Sequence, residues 1–275
     1  MTDGVAEIGF GRREGITRLV HLYQRDPLRV LFPAPAVGDP LLAVLLTTSG
    51  GLVAGDRLDI GVRVAEGAAA HVTASAAEKV YRSLGPTTEI RQSLSVAAGA
   101  ALEFLPLETI LFEGARLRRE TTIELGSGAA FLGGDIVVLG RRARGEGFTR
   151  GFLREVWQVQ RDGRLVWGDA LHLEGDIAGI IDDPACFDGA AAFATMILAP
   201  AGRDPRGFLD CARTVQAAGA TDNVRSGVTV IAGLVVARWL AADAAALRRA
   251  YADLASRLRC DAMGLPPELP RLWHV

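Results

Sequence analysis

The sequence predicts a mainly β protein with a helical C-terminal part (α+β), built as layered sheets around a β-helix-like, solenoid-like core of repeated strands. Three observations predict it. Short strands with two-residue alternation recur at even spacing, each is followed by the same Gly-Ala pair, and beyond Pro184 the alternation gives way to alanine-rich helical periodicity. Residues 1–184 read as a β-rich layered core and 185–275 as mixed strand and helix packed on it, together one continuous domain.

The first repeated strand is Leu58–Val64, whose Leu58, Ile60, Val62 and Val64 fall on one face as a half-buried strand requires. Ile90–Val96 places Ile90, Leu94 and Val96 together, and Thr121, Ile123 and Leu125 form the third copy. Gly67-Ala68, Gly99-Ala100 and Gly128-Ala129 follow at the same offset; glycine supplies the positive φ of a tight turn, and the small residue lets the next strand approach. Each unit continues into an extended segment with an acidic residue: Glu78, Glu108 and Asp135. A period of about 30 residues suggests stacked strand pairs, although antiparallel hairpins sharing one turn chemistry would alternate in the same way.

In the second half, Phe152–Gln160 and Arg164–Leu173 flank Asp162-Gly163, a dipeptide suited to a type I′ hairpin turn, with Trp157 and Trp167 packing near its sheet. A helix is expected from Pro205 to Ala218, with proline in its first turn, and a strand-like run follows from Val228 to Leu240. Leu240, Ala244, Leu247, Tyr251, Leu254 and Leu258 repeat at steps of four and three, the signature of a helix with one buried stripe. The proline-rich tail 266–275 cannot extend that helix and lies over the surface or docks elsewhere.

With 275 residues, 49% of them hydrophobic, the chain can fill a sizeable core. Thirty basic against 32 acidic residues give a net charge of −2, which offers no broad attraction to nucleic acid or an anionic membrane. The opening Met-Thr-Asp-Gly-Val-Ala-Glu lacks the basic and apolar stretches of a secretory signal, and the apolar run 227–237 is shorter than the ~20 residues a membrane span needs. Cys186, Cys211 and Cys260 are odd in number and far apart, and read as buried thiols of a cytoplasmic protein.

Thr47-Thr-Ser-Gly-Gly-Leu-Val-Ala-Gly-Asp56 superficially resembles a phosphate loop, but Asp56 stands where the phosphate-binding lysine belongs, so the stretch reads as a glycine-rich connection between strands. Ser49 lacks a nucleophile elbow, and His21, His71, His172 and His274 show no ligand spacing. Carboxylates remain as weak metal ligands: Glu78, Glu108, Asp135, Glu146, Glu174 and Asp176. Arg141-Arg-Ala-Arg-Gly-Glu146 concentrates positive charge where arginines serve either as a solvated surface or as an interface.

Several segments together resemble the urease accessory protein UreD (UreH) family: residues 47–56, Ala77-Glu-Lys-Val-Tyr-Arg-Ser83, Leu102-Glu-Phe-Leu-Pro-Leu-Glu-Thr-Ile-Leu-Phe-Glu-Gly114, Gly140-Arg141 with Gly145-Glu146, and Pro270-Arg-Leu-Trp273. Within these, Gly50, Gly51, Gly55, Asp56, Lys79, Tyr81, Arg82, Gly140 and Arg141 are the candidate structural or partner-binding residues. The resemblance implies a non-enzymatic chaperone that binds UreF, reaches the GTPase UreG through UreF, docks on the urease apoprotein, and pairs with a second copy within that complex. It also implies a transient path for Ni²⁺ through the interior, with no tight metal site and no bound cofactor; Glu78, Glu108 and Asp135, on the three repeated units, are expected along it. A purely structural adaptor, or a small-molecule enzyme using paired carboxylates, would fit the same residues.

Overall fold

The computed structural model describes residues 2–219, 221 and 223–274; Met1, Ala220, Asp222 and the last tail residue, Val275, lie outside the described residues. The first strands are β1 (Asp3–Arg13), β2 (Ile16–Arg25), β3 (Leu28–Leu31), β4 (Leu41–Thr47), β5 (Arg57–Val64), β6 (Ala69–Ala74) and β7 (Glu78–Val80). Next come β8 (Thr88–Val96), β9 (Ala101–Leu105), β10 (Thr109–Leu111), β11 (Arg116–Leu125), β12 (Ala130–Arg141) and β13 (Glu146–Gly147). The rest are β14 (Phe152–Arg161), β15 (Arg164–Glu174), α1 (Ile177–Asp182), β16 (Ala192–Pro200), α2 (Leu209–Ala218), β17 (Val224–Ile231), β18 (Leu234–Ala241) and α3 (Ala244–Met263).

A seven-stranded sheet runs in the order β15-β14-β11-β8-β5-β1-β2. Its five middle strands are parallel, and an antiparallel hairpin closes each end. The repeated strands stack in register, Leu58 beside Ile90, Val64 beside Val96 and Val96 beside Leu125, so the repeat is a pile of parallel coils and not a set of antiparallel hairpins. Gly67, Gly99 and Gly128 turn the chain at φ of 66°, 63° and 66°. Backbone bonds lock one turn on the next: Ala101 N–H donates to Ala68 at 3.0 Å and Ala130 N–H to Ala100 at 2.8 Å.

After each turn the chain enters a second sheet, through β6, β9 and the first half of β12, then bends into a short parallel ladder of β7, β10 and the second half of β12. Antiparallel β16, β18 and β17 extend this second sheet from the C-terminal part. Between the sheets lies a core of alternating residues such as Ile60, Val62, Leu94, Leu102, Phe104 and Phe131, with Trp157 and Trp167 under the last hairpin. That hairpin turns at Asp162-Gly163 with φ of 49° and 76°, as its sequence predicts.

Four expectations change. The run Val228–Leu240 is two strands reversed at Ala232-Gly233, where φ is 50° and 81°; an alanine in the left-handed region hides the turn in the sequence. Leu240 therefore belongs to β18, and α3 starts only after Asp243, whose carboxylate caps it by accepting the Ala245 N–H at 2.8 Å. Pro205–Phe208 forms a 3₁₀ turn that precedes α2, so the expected helix 205–218 is split. Cys186 and Cys260 are exposed and Cys211 half-buried, because the first lies in a loop and the third faces away from the sheet on α3. Among the described residues no helix is long and apolar enough to cross a membrane.

Helix α3 lays Leu247, Tyr251, Leu254 and Leu258 on the outer face of the second sheet, against Leu105, Leu132, Ile136 and Met196. The tail folds back and docks, with Trp273 stacked on Tyr251 at 5.6 Å. A buried ionic joint fixes this layer. Arg259 of α3 donates to Glu103 of β9 at 2.9 and 3.0 Å and to Asp39 at 2.8 Å, and its remaining nitrogen meets the carbonyls of Pro266 and Glu268. His71 closes the group from β6, its Nδ1 3.0 Å from Glu103.

Burial opposes the Glu103 charge, but His71 and Arg259 outweigh it and hold the carboxyl at about 2. A group lowered in this way contributes stability above its ordinary 4.5 and loses it as pH falls through about 2. Glu103→Gln is expected to cost about 3 kcal/mol at neutral pH. Denaturant unfolding should show that gap narrowing as pH drops from 4.5 toward 2; a gap independent of pH would contradict the assignment.

Candidate functional site: a charged inlay between the sheets

The inner face of the seven-stranded sheet is apolar except for one inlay. Register places Leu58, Ile90, Arg119 and Glu155 in one row and Ile60, Gln92, Thr121 and Trp157 in the next. In these two rows polar side chains enter at Gln92 of β8 and continue through Arg119 and Thr121 of β11 to Glu155 of β14. Thr121 donates to Gln92 at 2.8 Å, which satisfies both inside the core.

Arg119 is the centre. Its guanidinium donates to Glu155 at 2.6 Å, to Thr109 at 2.9 Å, and through Nη2 to Asp135, which reaches in from β12 across the gap between the sheets. All three ionisable side chains are about 4% exposed. Two carboxylates share one guanidinium, so full ionisation would leave a buried net negative charge. Burial drives Asp135 well above the ordinary carboxylate range and the neighbouring Glu155 charge drives it further, against Arg119 and the Thr195 N–H. For Glu155 burial is again opposed, but the Arg119 charge prevails and the group lies below its ordinary value. The two carboxyls are thus pushed in opposite directions by one shared environment, Asp135 toward its protonated form and Glu155 toward its charged form.

A cavity of about 60 Å³ opens onto this cluster, lined by Thr47, Glu78, Gln92, Thr109 and Arg119 among aliphatic side chains of both sheets. Glu78 accepts from Thr47 at 2.7 Å, and burial raises its pKa. Two larger hollows lie elsewhere. One of about 930 Å³ is walled by residues 31–36 and 268–272, with His71 at its floor, and one of about 430 Å³ lies beside Arg238 and Trp239. Of these three hollows the inner cavity is the one lined by both Glu78 and Arg119.

The structure brings together only two of the six carboxylates singled out from sequence. Glu78 and Asp135 both face the inner space, but they are not equivalent positions of the repeat: Glu78 aligns with Thr109 and then Val137, so Glu108 sits one residue and Asp135 two residues ahead of the row. Glu108 pairs with Arg248 of α3 at 3.5 Å. Glu146 pairs with Arg141, Glu174 lies half-exposed beside Arg116 and His172, and Asp176 caps α1 by accepting the Gly179 N–H at 3.0 Å. Sequence reading missed Arg119 and Glu155. The signal was present: extending the third repeat back by one alternation from Thr121 puts an arginine on the inner face, opposite Ile90.

The motif residues form a second constellation, at one corner of the coils. Gly51, at φ 143°, lies against the Tyr81 ring and the Lys79 carbonyl, where a methyl group would collide. Tyr81 donates to the Gly50 carbonyl at 3.2 Å and meets Phe112 edge-on at 4.8 Å, and the Arg141 guanidinium covers Phe112 at 4.1 Å. Gly140 turns at φ 88° against Gly147, and Arg82 packs on Gly114. Gly55 turns the chain at φ 81° into buried Asp56, which accepts the Thr2 N–H at 2.7 Å and the Val53 N–H at 3.0 Å. The glycine-rich stretch is thus a connection between strands, as read from sequence. Among the described residues no group of three or more His, Cys, Asp or Glu is arranged to hold a metal ion.

The family profile described as UreD urease accessory protein matches residues 2–274. A protein described as urease accessory protein UreD from Magnetococcus marinus is 43% identical over 275 residues, covering 99% of this chain and 94% of that one. A second, from a Methylobacterium species, is 43% identical over 277 residues, covering 100% and 95%. Urease accessory protein UreD 3 of a Bradyrhizobium species is 39% identical over 261 residues, covering 95% and 89%.

Removing one member of a buried charged group leaves the others uncompensated. Arg119→Met is expected to destabilise the fold by about 3–5 kcal/mol. Adding Asp135→Leu and Glu155→Leu to it should restore most of that loss, since three apolar side chains suit the surrounding core. Urea unfolding of both variants checks this; a triple variant less stable than the single one would contradict it.

Proposed function

Because the chain belongs to the UreD urease accessory protein family, we propose that it is a urease maturation chaperone: a cytoplasmic scaffold that docks UreF, and through it UreG, on the urease apoprotein while Ni²⁺ passes through its interior. The observation that carries this reading is the charged inlay beside a small cavity in an otherwise apolar core. Buried ionisable groups are costly, and an apolar core would have been easier to build. Their retention fits a use that needs charge inside.

The chemistry suits transit better than storage. Isolated oxygen donors hold Ni²⁺ weakly enough to release it, unlike a cage of imidazoles or thiolates. Glu78 lines the cavity together with Arg119, and Asp135 and Glu155 are bonded to that guanidinium, so three carboxylates adjoin one small space. Burial and the Glu155 charge favour the protonated form of Asp135, so a cation that takes up this carboxylate competes with a proton. Glu146, Glu174 and Asp176, engaged at the surface, stand outside this route, and Glu108 is held on the helix side by Arg248.

The same carboxylate pair invites an enzymatic reading, since two carboxyls pushed apart in pKa are the mark of acid–base work. Space argues against it. The cavity is about 60 Å³, whereas pockets for organic ligands run to about 300 Å³ and more.

The test uses the apolar triple variant Arg119→Met, Asp135→Leu, Glu155→Leu, whose fold is expected to persist. Co-purification with UreF and apo-urease should be unchanged, and nickel incorporated into urease in cells at limiting nickel should fall by about tenfold or more. Full nickel incorporation by that variant would leave the chain an adaptor with no passage.

A further inference from the structure

The corner that stacks Gly51, Tyr81, Phe112 and Arg141 carries more positive charge than the carboxylates beside it match. Lys79, Arg82, Arg142 and Arg144 are exposed, and their side chains make no ion pair or hydrogen bond among the described residues. Arg141 and Arg150 belong to the same group. Against these six cations stand Glu113 and Glu146, and both are consumed locally. Glu146 takes Arg141 and the Glu113 N–H at 3.1 Å, while Glu113 takes Thr149 through its N–H and its hydroxyl, both at 2.7 Å, and Arg150 at 3.1 Å. In a chain of net charge −2 this local excess is balanced by acidic surface elsewhere.

The group is contiguous. Arg82 packs on Gly114, whose N–H donates to the Arg150 carbonyl at 3.0 Å, and Ser83 N–H donates to the Gly114 carbonyl at 3.0 Å. Apolar surface stands among the charges. Leu84 is 89% exposed, on a tip held by Ser83, whose hydroxyl donates to Pro86 at 2.6 Å and accepts the Gly85 N–H at 3.1 Å; Val53 is 48% exposed beside Gly51. An exposed leucine on a braced turn, in a corner that also carries exposed arginines and the Tyr81–Phe112 pair, has the composition of a protein-interface centre.

We propose that this corner docks an acidic protein surface, in which carboxylates of the partner meet Arg82, Arg142 and Arg144 and an apolar recess takes Leu84. Charge complementarity argues for that occupant over a polyanion: a nucleic acid or an anionic bilayer would meet the acidic remainder of the chain as soon as contact spread beyond the corner, whereas a protein carboxylate cluster matches its size. The proposal rests on the scaffold reading and adds the chemistry of one of its contacts.

The experiment measures affinity of the full chain for purified UreF and for purified apo-urease at low and at high salt, for the parent, for Arg82→Glu with Arg142→Glu and Arg144→Glu, and for Leu84→Ser. Thermal unfolding of each variant should match the parent, since none of these side chains makes an internal bond. The expected result is binding to one partner weakened by about tenfold or more in the charge-reversed variant, a smaller loss for Leu84→Ser, and a steep salt dependence in the parent and in Leu84→Ser that the charge-reversed variant lacks. A parent that binds and a charge-reversed variant that binds equally well overturn this proposal alone. A parent that binds neither partner overturns the scaffold reading and this proposal with it. Anionic vesicles and duplex DNA serve as further probes: loss of binding to these, with both protein affinities unchanged, also overturns it.

Discussion

Everything in this molecule depends on parallel strands of successive coils lying in register. A parallel strand cannot return through a two-residue turn, so the chain must travel through a second sheet before it can pair with itself again. Glycines in the left-handed conformation make that passage sharp, and backbone bonds between one turn and the next fix the pitch. Side chains at equivalent positions then stack into rows, and a change in one coil is felt by its neighbours above and below. The apolar rows stabilise the pile; the rows ending in Arg119, Glu155 and Thr121 interrupt it.

That interruption explains how stability and use are divided. The outer joint, in which Arg259 bonds Glu103, Asp39 and two carbonyls of the tail and His71 meets Glu103, holds α3 and the tail on the second sheet. In the inner cluster burial and the Glu155 charge push Asp135 toward its protonated form, and a cavity adjoins the shared guanidinium. Two buried ionic groups, each with one guanidinium between two carboxylates, thus differ in their surroundings: tail carbonyls and His71 in one, a cavity in the other. The corner motifs form a third arrangement, in which aromatic rings and glycines brace a charged exterior.

Much of the fold was legible in sequence because the repeat writes itself twice, in strand alternation and in Gly67, Gly99 and Gly128. The Asp162-Gly163 hairpin and the stripe from Leu247 to Leu258 were legible for the same reason: local chemistry and local geometry agree. Ala232-Gly233 was not, since an alanine forced into positive φ gives no turn signal and the apolar run continues through it. The site was half legible. Glu78 and Asp135 stood out as acids inside apolar segments, but their partner Arg119 lies before the alternation that marked its strand, and Glu155 looks like an ordinary outward residue until β14 is known to pair in parallel with β11. His71 carried no motif at all; its role arises from Glu103 and Arg259, the latter 156 positions beyond Glu103.

The proposed passage requires that a nickel ion can occupy the space between the sheets. Anomalous scattering at the nickel absorption edge, recorded from crystals of this chain soaked in Ni²⁺, decides this. A partially occupied peak is expected beside Glu78, Thr109 or Asp135, lost in crystals of the apolar triple variant. Peaks confined to surface residues such as His21 and His172, with nothing between the sheets at saturating nickel, would contradict it.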